Sequence, residues 1–372
     1  MSTRPGTRNT NAINDDPDKY LGRVINGMYR LESFLDGGGM GLVFKATRLN
    51  FKKPVVVKIL RPSLSKNLDI VKRFQREIDL LSVLSHPSIV SILDLGRDAS
   101  GFSYFVMDFV EGETMDLLCD KKELSLAEIF EIFRQICSAL SEAHAKDIIH
   151  RDIKFENIVV RRLSDGRLHA TLLDFGVARD LKTKSEITRV GELPGTPGII
   201  APELVEDPCP SPASDLYSIG VLLFIAITGR APFSGDNDFQ IVQAHQRDPI
   251  PDIRSLVDND VPEQVVELIY ELMQKDAKKR PQSAQLVRDR IESITRHSPA
   301  VDVSRSWKAY VPPDDVSPSS VHDESPLHED LAVHQHQRVT PASIVGMLIA
   351  LLIILVLVVV YLLYRQMLLS SP

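Results

Sequence analysis

Apolar residues recur along this chain in three rhythms, and each predicts a different kind of element. From Tyr29 through Glu32 they alternate with polar residues, leading into Phe34 and Leu35, and the alternation is the period-two pattern of a strand. The nearly unbroken run Val55-Val56-Val57-Lys58-Ile59-Leu60 predicts another strand. Tyr104-Phe105-Val106-Met107-Asp108-Phe109-Val110 predicts a buried one that breaks at Gly112. Between them Phe74, Ile78, Leu81 and Leu84 fall at helical spacing, and His86-Pro87 ends that helix because proline disfavours helical geometry in the residue before it. Ser125-Leu126-Ala127-Glu128 has the form of a capping box, with Ile129, Ile132, Phe133, Ile136 and Leu140 as the apolar stripe behind it. Asp215-Leu216-Tyr217-Ser218-Ile219-Gly220 opens a very apolar helix that Thr228-Gly229 closes.

The third rhythm is continuous. From Ser343 to Tyr364 no side chain is charged, and a helix of that length would span roughly 33 Å, against a bilayer core about 30 Å thick. Uniform Leu, Ile and Val without a polar face set it apart from a buried core helix, so residues 342–364 are expected to form a single transmembrane helix. Arg338 and Arg365 flank it on both sides, so the charge rule for loops does not choose an orientation. The polar N-terminal sequence MSTRPGTRNTNAINDDPDKY lacks the apolar core of a signal peptide. Only the short remainder 365–372 would have to cross, which puts the bulk of the chain on the cytoplasmic side.

Two stretches carry no rhythm. Residues 1–28, rich in Asn, Asp, Arg and Thr, are expected to form a flexible arm. Residues 294–341 shift to Ser, Pro, Asp, Glu and His and read as a disordered linker, whose part from 297 to 340 would have an r.m.s. span of roughly 35–40 Å. His322, His328, His334 and His336 within it are too irregularly spaced for a designed metal site.

Composition narrows the function classes. A formal net charge of -7 over 372 residues argues against a nucleic-acid partner, which needs a basic face. Cys119, Cys137 and Cys209 are odd in number and lack CxxC spacing, which favours a reducing compartment over a disulfide framework or a zinc site. The length suits one two-lobed domain with appendages.

The densest chemistry lies in His150-Arg151-Asp152-Ile153-Lys154-Phe155-Glu156-Asn157, followed by Asp174-Phe175-Gly176. Asp152 can take or orient a hydroxyl proton. Asn157, on the same tight loop, offers an amide oxygen to a divalent ion, and Asp174 would supply a second metal oxygen. These two segments, in this order and followed by Ala201-Pro202-Glu203, resemble the catalytic and metal-binding pair of the eukaryotic-type (Hanks-type) serine/threonine protein kinases. The Gly-Gly-Met-Gly loop and the single span look like the bacterial membrane-anchored kind. The likeness runs from about Tyr29 to Ile291 and implies an α+β, bilobal kinase fold: a β-rich N-lobe over 29–110 and a mainly helical C-lobe over 111–293.

On that resemblance the remaining residues acquire expected roles. Asp36-Gly37-Gly38-Gly39-Met40-Gly41 would be the phosphate loop, although a glycine cluster taken alone fits an ordinary hairpin turn better. Val43 and Val56 would enclose the adenine, Lys58 would hold the α- and β-phosphates, and Glu77 would pair with Lys58. Met107 would guard the back of the pocket, with the backbone of Asp108 and Val110 meeting the adenine edge. Lys154 and Thr196 imply Ser or Thr substrates. Arg151 implies a phosphate on the activation loop, for which Thr183, Ser185 and Thr188 are candidates. Asp215 would anchor the catalytic loop, and Arg280 would pair with Glu203. The cofactors implied are ATP and Mg²⁺, with Mn²⁺ as a substitute, and the partners are protein substrates and a second copy for trans-autophosphorylation. Three positions depart from the family pattern: Asp36 for the first loop glycine, Val56 for alanine and Phe155 for proline. They keep open the alternative of a pseudokinase scaffold, which binds without phosphotransfer.

Overall fold

The computed structural model describes residues 15–37, 40–99, 101–175, 196–207, 209–257 and 261–297. Its first layer is an antiparallel sheet of six strands: β1 (Val24–Ile25), β2 (Tyr29–Asp36), β3 (Gly41–Arg48), β4 (Lys53–Leu60), β5 (Ile92–Arg97) and β6 (Ser103–Asp108). Their spatial order is β1-β2-β3-β4-β6-β5. Helix α1 (Leu68–Ser82) connects β4 to β5, and the Asn67 side chain caps it by accepting from the N–H groups of Asp69 and Ile70.

The continuous apolar run in β4 is explained by burial on both faces, because successive strand side chains point to opposite sides. Val55, Val57 and Ile59 join Leu42, Phe44, Ala46, Tyr104 and Val106 in an outer core. Val56 and Leu60 join Val43, Phe105, Met107, Phe74 and Ile78 in an inner core under α1. Lys58 shares the parity of Val56 and Leu60. Its stem is therefore carried toward α1, and the ammonium has no route to the outer surface.

Packed structure starts earlier than Tyr29. A 3-10 turn spans Pro17–Tyr20, with the Asp16 side chain accepting from Asp18 N–H. Tyr20 is buried against the rings of Phe44 and Phe102, and Ile25 is fully buried in the outer core. Asp15 accepts from Ser63 N–H at 3.2 Å. Residues 15–28, expected to belong to a flexible arm, are thus a flap closing the outer core. Two anchors five positions apart form no periodic pattern, so hydropathy gave no sign of them.

The second lobe opens with β7 (Glu113–Thr114) and α2 (Met115–Lys121), followed by the long α3 (Leu126–His144). Ser125 and Glu128 cap α3 reciprocally, an arrangement that stabilises a helix start by about 1 kcal/mol. The stripe from Ile129 to Leu140 is buried in the main core, at about 1.5–3 kcal/mol for each large apolar side chain. Strands β8 (Ile158–Arg162) and β9 (Leu168–Leu172) pair antiparallel beside β7. Then come α4 (Glu203–Glu206), α5 (Pro212–Thr228), α6 (Asp238–Arg247), α7 (Glu263–Leu272) and α8 (Ala284–His297). Helix α5 is apolar all round because α3, α7 and the connecting segments enclose it. A Cβ on Gly220 would lie 2.7 Å from Leu272 Cβ, so α5 and α7 approach at a distance only glycine permits.

Helix α8 continues to His297 with Ile294 buried, past the expected lobe boundary at 293. The rest of the 294–341 linker, the 342–364 span and the 365–372 tail lie outside the described residues. Among the described residues no helix is long and apolar enough to cross a membrane.

Candidate active site

Between the two lobes the chain gathers three charges from three distant elements. Lys58 Nζ on β4 donates to Glu77 Oε1 on α1 at 2.6 Å and stands 3.6 Å from Asp174 Oδ1. Glu77 is 1 % exposed, so its charge is held out of water and needs this partner. Burial of Lys58 pulls its pKa down, but the carboxylates of Asp174 and Glu77 outweigh that and hold it above the ordinary lysine value. The ammonium is therefore charged throughout the physiological range. Phe105 lies beneath it, 5.7 Å from Nζ to the ring centroid.

The loop between α3 and β8 is fixed by Asp215 near the start of α5. Asp215 Oδ2 accepts from His150 N–H (2.9 Å) and Oδ1 from Arg151 N–H (3.0 Å), while His144 Nε2 meets Oδ2 at 2.8 Å. This carboxylate holds Arg151 in the left-handed region, at φ 69°, a conformation that costs a non-glycine residue of order 1 kcal/mol. His150 is fully buried, and burial lowers its pKa, so the ring is neutral. Its Nε2 faces Leu173 O (3.0 Å), which can only accept, and its Nδ1 accepts from Asp152 N–H (3.3 Å). The proton therefore sits on Nε2, and the ring couples the loop to the strand end carrying Asp174. Phe175 packs against the same ring, centroids 4.5 Å apart.

Asp152, Lys154 and Asn157 converge on that loop. Asn157 Nδ2 donates to Asp152 O at 2.8 Å and reaches Asp152 Oδ2 at 3.4 Å. Lys154 Nζ stands 3.4 Å from Asp152 Oδ2. The Asn157 carbonyl accepts from Leu173 N–H (2.8 Å), which draws Asn157 and Asp174 to one side of the cleft. Phe155, where proline was expected, begins a short 3-10 turn through Asn157 and packs into the main core.

The apolar residues expected around a nucleotide base fall into one cluster: Val43, Val56 and Met107 are buried in it, with Met40 and Val110 against it. Asp108 N–H donates to Ser91 O at 3.1 Å, so a base at this edge would meet the Asp108 carbonyl. Gly112 has φ 143°, and a Cβ there would lie 2.4 Å from Val160 O, so the strand must break at a glycine. Asp36 is exposed and accepts from the N–H of Gly37 at 2.7 Å, and Gly41 pairs with Leu60 across β3 and β4. Thr196 is half-buried at the cap of the 3-10 turn Pro197–Ile199. Gly38, Gly39, Thr183, Ser185 and Thr188 lie outside the described residues. Glu203 and Arg280 form a bidentate pair, 2.8 and 2.7 Å. Sequence reasoning gave no role to His144, which reaches Asp215 across 71 positions, and no local motif could have signalled it.

The donor set fits a divalent cation. Among the described residues Asp174 Oδ1 is buried with no hydrogen-bond partner and faces only the Lys58 ammonium at 3.6 Å, and an amide oxygen from Asn157 would complete a two-ligand protein share. Mg²⁺ commonly takes such a share and fills its other positions with water and phosphate oxygens. Among the described residues no group of three or more His, Cys, Asp or Glu could hold a metal without those further ligands. The three cysteines are free, and burial pushes the Cys119 and Cys137 thiols up to about 12, so neither is a nucleophile at neutral pH.

Comparison with known proteins shows the family. The family model described as protein kinase domain matches residues 29–291. The serine/threonine-protein kinase pkn3 of Myxococcus xanthus is 33% identical over 292 residues, covering 77% of this chain and 53% of the relative. PrkC of Bacillus subtilis is 34% identical over 266 residues, 71% of this chain and 40% of the relative. PknA of Mycobacterium tuberculosis is 32% identical over 279 residues, 74% and 63%. The matched part of this chain thus spans roughly half the length of these curated relatives. The crystal structure of the Mycobacterium tuberculosis PknI kinase domain superimposes with a TM-score of 0.55 at 21% identity, covering 73% of this chain and 98% of that one, a likeness of fold. A matched family model over most of the chain, a two-lobed fold, and a lysine, a glutamate and two loop acids drawn to one cleft mean that this chain belongs to the protein kinase domain family.

Proposed function

We propose that the chain is a serine/threonine protein kinase that moves the γ-phosphoryl group of ATP to Ser and Thr hydroxyls of proteins. The observation that carries this reading is the Lys58 ammonium held by both Glu77 and Asp174, with Asp152, Lys154 and Asn157 gathered on the adjoining loop. A cation held across two carboxylates preorganises the cleft for an anionic substrate.

In this reading Val43, Val56 and Met107 hold the adenine, and the Asp108 and Val110 backbone reads its edge. The loop from Asp36 to Gly41 covers the phosphates and Lys58 fixes the α- and β-phosphates. Asn157 and Asp174 would hold Mg²⁺, or Mn²⁺ in its place, which would offset charge on the phosphates. Asp152 orients the incoming hydroxyl and accepts its proton as the oxygen bonds to the γ-phosphorus. The bond from that phosphorus to the bridging oxygen breaks, and ADP leaves. Lys154 stabilises the transferring oxygens, and Thr196 steadies Asp152 for a Ser or Thr acceptor.

The proposal extends to control and location. Among the described residues Arg151 Nε is buried without a hydrogen-bond partner, which suits it to a phosphate on Thr183, Ser185 or Thr188; such a phosphate adds about -1.5 to -2 charges. Residues 342–364 tether the kinase, cytoplasmic side, to a membrane, where one copy phosphorylates another.

One observation favours the pseudokinase scaffold: Asp36 occupies the Gly37 N–H and brings a carboxylate to the loop expected to face phosphate. Transfer of radiolabelled phosphate from ATP, measured beside nucleotide binding for the wild type and Asp152→Asn, separates the two. A working kinase labels itself and loses the label in the variant while ATP binding survives. Binding without any label in the wild type identifies the scaffold, and equal labelling by the variant removes Asp152 from its role.

A further inference from the structure

A second cavity, of about 830 Å³, shares no lining residue with the nucleotide residues above. Its volume lies within the roughly 300–1,000 Å³ of ligand-sized pockets. Buried Ala127 and Leu168 contribute an apolar base. The Gln135 amide beside them is fully engaged: it donates to Leu168 O (2.9 Å) and Glu131 Oε1 (2.8 Å) and accepts from Ala170 N–H (2.9 Å).

Three arginines line this cavity, each tied to a carboxylate. Arg134 binds Glu131 through two contacts of 2.7 and 2.9 Å, Arg162 binds Glu128 at 2.8 Å, and Arg167 binds Asp165 at 2.6 Å. A guanidinium whose N–H edge is occupied by a carboxylate still offers its flat face, on which aromatic rings stack. Glu128, Glu131 and Asp165 line the cavity beside their arginines, so a ligand of either charge would have to break these ion pairs to be held by them. An aromatic side chain meets no such obstacle.

Thr295, in the last turn of α8, lines the same cavity, and α8 ends at His297. The chain then carries the run Ser306-Trp307-Lys308-Ala309-Tyr310-Val311, which holds the only Trp, Tyr or Phe residues between His297 and Tyr361. Ten residues of extended chain reach at most roughly 33–36 Å, so Trp307 is within range of a cavity that begins beside Thr295. We propose that residues 306–311 fold back onto the kinase domain of their own chain and seat Trp307 and Tyr310 in this arginine-rimmed cavity.

Trp307 is the chain's only tryptophan, so its fluorescence reports the docking directly. In the full chain, emission is expected to be shifted to the blue and shielded from acrylamide relative to the same chain unfolded in urea. In R162A/R167A, whose arginines are mostly exposed, and separately in R134A, emission should shift to the red and quenching should rise. ATP binding should stay unchanged in both, as a control for folding. Wild-type emission equal to that of the unfolded chain overturns the proposal. So does a blue shift that neither pocket variant moves, because Trp307 would then be buried elsewhere. A blue shift that fades on dilution also overturns it, since a second copy would be supplying the segment.

Discussion

A buried charge at this cleft or in the helical lobe is tolerated only because a named partner faces it, which makes single substitutions informative. Glu77→Gln keeps the shape but removes the charge that Lys58 Nζ meets at 2.6 Å. A hydrogen bond between charged groups contributes about 1.5–3 kcal/mol, so kcat/KM for ATP should fall roughly tenfold to hundredfold. Unchanged steady-state phosphorylation would show the pair to be dispensable. Arg280 is 2 % exposed and satisfies Glu203, Ala213 O, Gln274 O and Lys275 O. Arg280→Ala leaves Glu203, among the described residues, with only the Ser214 hydroxyl at 3.0 Å and should lower the unfolding free energy by about 3 kcal/mol, read from urea titration. His245 is fully buried, and burial together with the nearby Lys275 brings its pKa down to about 4, with the Tyr217 hydroxyl 2.9 Å from Nδ1. Above the ordinary histidine value both folded and unfolded chains are neutral there, and its contribution is complete. As pH falls from about 6.5 to about 4 the unfolded chain binds a proton that the folded one refuses, and stability drops by up to about 3 kcal/mol. His245→Gln should flatten that part of the pH–stability curve, although buried His150, also lowered, keeps some slope; an identical slope would remove His245 as a source.

At the scale of elements, the hinge after β6 turns on one backbone conformation. Gly112→Ala would put a methyl carbon 2.4 Å from Val160 O at φ 143°, so the β7–β8 contact must open. The expected outcome is a loss of about 1–3 kcal/mol in stability together with weaker ATP binding, measured by denaturation and by nucleotide titration. Normal binding with normal stability would mean that the hinge absorbs the change. The elements that hydropathy located, α1, β4, β6, α3 and α5, are those whose burial follows a period over many residues. The catalytic loop was legible for a different reason: Asp152, Lys154 and Asn157 lie within six positions and recur in a known family pattern. The flap of residues 15–28 was misread because two isolated anchors, Tyr20 and Ile25, do its packing. The link from His144 to Asp215 was not legible either, because it exists only once α3 and α5 are side by side. The faces of β4 fall between these cases. The apolar run was plain, but only the split into two cores explains why Lys58 points inward.

At the scale of the whole molecule, the proposed tether changes the order of the reaction. In that proposal a copy held at the bilayer by residues 342–364 stays within the reach of the chain that joins 297 to 342, so the concentration that counts is copies per unit of membrane area. Linking two reactants to one surface raises effective concentration without any new contact. Phosphorylation of one copy by another should therefore accelerate with surface density at fixed total protein. Reconstituting the full chain and adding empty vesicles under conditions where it redistributes dilutes the surface and leaves the bulk concentration unchanged. Initial autophosphorylation rate per copy should then fall in proportion to density. A rate that ignores the added vesicles would mean that each copy phosphorylates itself, or that residues 342–364 do not hold it at the bilayer; flotation of the vesicles with and without bound protein tells these two apart.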